Sequence, residues 1–159
     1  MSKIFWGLLF LLININIGGV SITPSFVGYI LIYFGMKQME VPETFKKARL
    51  WIIAGGVLNL LFWLPVWGEG LNFLVSFVGA LLHVTVTYEI VQAVNEERDR
   101  QNTSLDTNGL HKAWVVTAVC EILAIPLVWL GGWLTIIISF VAAIVYIAAF
   151  NECKKVLGE

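Results

Sequence analysis

Three side chains able to do acid–base or ligand chemistry, Asn59, His83 and Glu121, each stand near the middle of a long apolar run. A carboxylate at the centre of a bilayer costs on the order of 3 kcal/mol on insertion scales, so Glu121 is expected to point into a helix bundle rather than at lipid. Paired with His83 and with the amide of Asn59, it would line a mid-membrane polar pocket and form a proton-responsive or cation-binding site. The competing reading is that Glu121 is protonated and all three residues tie helices together through hydrogen bonds. Asn14 and Asn16, just before Gly18-Gly19, are secondary candidates for ligand contact, although Asn at a helix end commonly satisfies free backbone groups. Tyr146 and Tyr29 are candidates for the wall of such a pocket, with ordinary packing as the alternative.

Other chemistries lack their residues. The histidines number two, His83 in an apolar run and His111 in a polar segment, and the two cysteines, Cys120 and Cys153, lie at different expected depths. No metal site, disulfide or cofactor is expected from that set, and no nucleophile arrangement argues for an enzyme. Ten Lys and Arg against eleven Asp and Glu, with no basic patch, argue against a nucleic-acid partner.

The elements that must hold these residues are transmembrane helices. Of 159 residues, 58% are apolar and 13% charged, against a soluble norm of roughly half and a quarter. Nearly all of the charge is segregated into Lys37 to Arg49, Glu96 to Lys112 and Asn151 to Glu159. At roughly 20 residues per crossing, the apolar stretches between read as about six spans: Ile4 to Gly18, Pro24 to Met36, Leu50 to Trp67, Leu71 to Gln92, Ala113 to Leu130 and Trp133 to Phe150. The expected fold class is all-α, a polytopic membrane protein forming one transmembrane domain over residues 1–159. Between the fourth and fifth spans, residues 93–112 read as a solvated helix extension plus loop, with a turn signal at Asn108-Gly109.

Basic residues collect on the cytoplasmic side of a membrane protein. All ten lie before span 1, between spans 2 and 3, between spans 4 and 5, or after span 6. Both termini are therefore expected in the cytoplasm, and the glycine connections at Gly18-Gly19, Gly68-Glu69-Gly70 and Gly131-Gly132 outside. Tryptophan favours the headgroup level, which suits Trp6, Trp51 and Trp114 at inner span starts and Trp63, Trp67, Trp129 and Trp133 at outer ends.

An internal repeat is visible in Ser25-Phe26-Val27-Gly28, Ser76-Phe77-Val78-Gly79 and Ser139-Phe140-Val141-Ala142. It divides the chain into three parallel helical hairpins, approximately 1–40, 41–95 and 110–159, related by a pseudo-axis along the membrane normal. Small residues at helical spacing mark close packing in lipid. They run along span 3 at Gly55 and Gly56, span 4 at Ser76, Gly79 and Ala80, span 5 at Ala113 and Thr117, and span 6 at Ala142 and Ala143.

The stretch Asn14-Ile15-Asn16-Ile17-Gly18-Gly19, followed by Pro24-Ser25-Phe26-Val27-Gly28-Tyr29-Ile30-Leu31-Ile32, resembles the opening of small uncharacterised multi-pass membrane proteins of Gram-positive bacteria. The resemblance covers the first quarter of the chain and departs from the family at Ser25, where members often carry an acidic residue. It implies a bacterial cytoplasmic membrane location and brings no activity. Repeats and central polar residues point to a small-solute or ion permease, or a membrane-embedded substrate-binding subunit. The alternative is a non-catalytic accessory, sensor or immunity-type protein that meets a membrane protein partner, or a second copy in a homo-oligomer, through a small-residue seam.

Overall fold

In a computed structural model, residues 1–13, 16–17, 20–21, 24–39, 41–62, 69–128 and 133–157 are described. They form α1 (Ser2–Leu12), β1 (Asn16–Ile17), β2 (Val20–Ser21), α2 (Ser25–Gln38), α3 (Pro42–Phe62), α4 (Glu69–Arg100), α5 (Asn108–Val128) and α6 (Trp133–Val156). Each helix packs against the next in sequence, and α1 closes on α6, so the six helices make a ring.

The first hairpin differs from expectation. A helix to Gly18 is not formed: α1 stops at Leu12, and β1 pairs antiparallel with β2, Asn16 opposite Ser21 and Ile17 opposite Val20. The alternation Ile13-Asn14-Ile15-Asn16-Ile17 has the period of a strand, and Gly18-Gly19 is a hairpin turn signal. At 11 residues, α1 is about 16 Å long, short of the roughly 30 Å of a hydrocarbon core. Two helical segments, Ser76–Arg100 and Ile137–Val156, are long and apolar enough to cross a membrane among the described residues.

Helices α3 to α6 overrun the expected spans at the end carrying the basic residues. The 32 residues of α4 reach roughly 48 Å, more than the roughly 30 Å of a hydrocarbon core. Helix α3 starts at Pro42, a residue suited to the first helical turn. Its free amides are met from another element, because the Glu96 carboxylate accepts from Thr44 N at 2.9 Å and Glu43 N at 3.4 Å. A negative charge there also suits the positive end of the helix dipole. Asn108-Gly109 opens α5 instead of turning the chain, since Asp106 Oδ1 takes the Asn108 amide at 2.9 Å and caps the helix.

The same end of the ring is packed solid. Ile4, Leu8, Ile32, Met36, Val86, Ile90, Tyr146 and Phe150 are all at most 2% exposed. Tyr146 donates from its hydroxyl to Thr87 O at 2.9 Å, linking α6 to α4. Thr117 bonds Ala113 O at 2.9 Å within α5 and Ala142 O at 3.1 Å across to α6. Trp114 is not turned outward to a headgroup level: its indole N–H points inward, 3.3 Å from Thr87 Oγ1. Trp6 and Trp51 are exposed at 56% and 42%, while Trp63, Trp67 and Trp129 lie outside the described residues. Helices α1 and α2 meet at glycines, because a Cβ on Gly28 would stand 2.7 Å from Gly7 O.

Near the end of α4, Glu97 is buried in a cluster that ties α4 to the end of the chain's last helix. Arg100 donates to both its oxygens, at 2.9 and 2.6 Å, and Gln101 donates to it at 2.6 Å and to Leu157 O at 3.1 Å. The Arg100 hydrogen bonds hold the Glu97 carboxyl below the usual carboxylate range against the opposing effect of burial, and Gln101 adds to them. A carboxyl with a lowered folded-state pKa contributes stability that is complete above its ordinary value and is lost as pH falls through the lowered one. Purified wild-type protein is therefore expected to exceed Glu97→Gln by about 1 kcal/mol at neutral pH. That gap should close as pH drops below the ordinary value of 4.5. Thermal melts of both proteins across this range measure it.

Candidate functional site

At the opposite end, toward the C-termini of α1, α3 and α5 and the starts of α2, α4 and α6, the ring opens into a cavity of about 600 Å³. Every helix contributes to its wall: Leu11 from α1, Tyr29 from α2, Asn59 from α3, His83 from α4, Glu121 from α5 and Ala143 from α6. The stripes of small residues explain the space. Gly79, Ala80, Ala124 and Ala143 face the lumen, where larger side chains would fill it.

Asn59, His83 and Glu121 all line this one cavity. His83 Nδ1 lies 3.1 Å from Glu121 Oε2, with side-chain exposures of 16% and 19%. The contact sets an imidazole N–H within hydrogen-bonding reach of a carboxylate oxygen. Asn59 returns one amide N–H to Gly55 O at 2.9 Å, one turn back along α3, and Tyr29 stands in the same cavity wall. Its ring lies against the backbone of Gly55, where a Cβ would come 2.7 Å from Cζ, so glycine is what admits the aromatic ring between α2 and α3.

The two tyrosines separate in role. Tyr146 does not line the cavity; it is 0% exposed and its hydroxyl is spent on Thr87 O. Its place one turn further from the cavity end, among large apolar residues, makes it a packing residue. Asn14 lies outside the described residues, and Asn16 is described through its strand backbone only.

The three motif serines, Ser25, Ser76 and Ser139, also reach the cavity wall. Ser139 Oγ and His83 Nε2 are buried without a hydrogen-bond partner, and each such group costs about 1–3 kcal/mol when left unmet. Among the described residues no group of three or more His, Cys, Asp or Glu is arranged to hold a metal ion. Among the described residues no Lys or Arg lines the cavity, and Glu121 is the one acid in its wall.

No family model, curated protein or solved structure matches the chain. Function must therefore be read from the ring and its cavity.

Proposed function

We propose that this is a six-span membrane protein, both termini cytoplasmic, that binds a small polar or cationic solute in the lumen of its helix ring as a permease or membrane-embedded substrate-binding subunit. The membrane placement is supported by the outward faces of the helices, where Ile30, Phe34, Val57, Leu81, Val116, Ile138 and Val145 are each at least 43% exposed. An apolar belt of that extent suits hydrocarbon and not water. In this reading the short α1 reaches only partway. The three serines at one cavity support the reading of three hairpin repeats about a central axis.

The observation that carries the functional reading is that all six helices place side chains around one cavity whose charged element is the His83–Glu121 pair. A wholly structural polar pair would be enclosed by packed side chains, as Thr117 and Tyr146 are at the other end. Here the pair borders open volume. The Glu121 carboxylate gives the site an attraction for a cation or an N–H or O–H donor. No chemistry is performed on the ligand, and no cofactor is invoked.

Glu121→Gln keeps the side-chain shape and removes the charge. It is expected to weaken binding of a small ammonium ligand, screened by thermal stabilisation of the purified protein, by about tenfold or more. Equal stabilisation of both proteins by every amine tested would remove the site from this role.

A further inference from the structure

A second cavity of about 300 Å³ lies on the outside of the α2–α3 pair. Its wall includes Ile30, Tyr33, Phe34, Ile53 and Leu60, and is almost wholly apolar. Ile30, Phe34, Ile53 and Leu60 are 48%, 49%, 51% and 47% exposed, so the groove faces the surrounding medium, which under the proposed topology is lipid. One residue, Tyr29, belongs to the walls of both this groove and the polar lumen. Its ring, 2% exposed, is the partition between them, wedged over the bare backbone of Gly55. On the groove side Gly56 leaves room beside it, since a Cβ there would make only ordinary contact with Tyr29 Cβ at 3.4 Å.

An apolar groove offers a hydrocarbon chain little that lipid does not, because lipid tails are as apolar as the groove wall. Selectivity must come from the head, and the head-binding chemistry lies across Tyr29: among the described residues, one carboxylate, an amide, hydroxyls and no Lys or Arg. Resting on the solute-binding reading above, we infer that the ligand is a cationic amphiphile, an ammonium-headed molecule whose head is held at Glu121 and whose chain lies in the α2–α3 groove, with the Tyr29 ring displaced between them. Entry is then sideways from the bilayer. The meeting of the two cavities at one side chain and a single negative charge among the described lumen residues both argue for this occupant over a neutral lipid.

The test uses the full chain in phosphatidylcholine vesicles with a long-chain alkylamine carrying a photoactivatable diazirine on its chain, and the matching alkyl alcohol as control. Crosslinked peptides are mapped by mass spectrometry. The amine is expected to label residues 26–34 and 52–60 about tenfold above the alcohol, and to lose that excess in Glu121→Gln. Filling the groove in Gly56→Leu, or narrowing it from α2 in Ile30→Trp should the first variant misfold, is expected to abolish the groove label while a short-chain amine still stabilises the protein. Amine labelling spread evenly around the helices, as for the alcohol, would overturn the amphiphile. If that result came with Glu121-dependent stabilisation by the short amine, the lumen site would stand alone; if that stabilisation were absent too, both readings would fall.

Discussion

Gly28→Ala is expected to destabilise the protein by about 2–3 kcal/mol, whereas Gly79→Ala should change it by no more than about 0.5 kcal/mol. The two glycines occupy the same place in the repeated Ser-Phe-Val-Gly motif, so sequence alone gives no reason to separate them. Their surroundings do. A Cβ on Gly28 would sit 2.7 Å from Gly7 O and 3.1 Å from Leu11 N, both backbone atoms that cannot rotate away. Gly35 repeats the arrangement one heptad on, with a Cβ 2.9 Å from Ile4 N. Three glycines thus set how closely α1 and α2 approach, the packing device expected where lipid supplies no hydrophobic force between helices. At Gly79 the nearest atom is Leu58 Cδ2 at 3.9 Å, because that residue borders the cavity. Thermal melts in detergent decide the contrast. Equal effects would mean that the α1–α2 crossing is looser than described.

His83→Ala is expected to cost about 3 kcal/mol, close to the effect of breaking a buried ion pair from one side, since it leaves the Glu121 carboxylate unpartnered. Glu121→Ala alone should cost less, because a neutral imidazole can remain without a charge to shield. The double variant should be less damaged than the sum of the two, with a coupling of at least about 1 kcal/mol at contacts of this kind. Both side chains are less than one-fifth exposed, which keeps the pair from being screened as surface pairs are. A cycle of unfolding measurements on the three variants gives the coupling directly. A value near zero would mean that the residues only share the cavity and do not hold each other.

Much of the site was legible from position within the apolar runs. Counting residues from the basic ends of spans 3, 4 and 5 sets Asn59, His83 and Glu121 at one depth, and a carboxylate among apolar residues has to face inward. The small-residue stripes on α4 and α6 read as close-packing seams, whereas Gly79, Ala80 and Ala143 border the cavity. What the sequence concealed depends on contacts between distant segments. Glu96 reads as one more charge in a polar segment until α3 is placed beside it to receive the cap. Tyr29 and Tyr146 look equivalent along their helices, and only the ring geometry turns one to the lumen and buries the other under Thr87. Trp114 suits a headgroup level by position but finds a hydrogen bond inside. The β1–β2 pairing was a different case, since the period-two alternation of Ile and Asn was present and was overridden by the apolar content of the run.

The central claim is that water reaches the lumen from the side opposite the termini. In a Cys120→Ser, Cys153→Ser background, Ala80→Cys and Val78→Cys would be exposed in turn to a charged, membrane-impermeant thiol reagent, in intact cells and in inverted vesicles. Ala80 lines the cavity, and Val78, two residues earlier on α4, is 45% exposed on the outer belt. Rapid modification of Ala80→Cys from the outside alone, with Val78→Cys unreactive from either side, is the result the ring predicts. Modification at Val78 with Ala80 protected would contradict it, and would mean that the belt faces water and the lumen is closed.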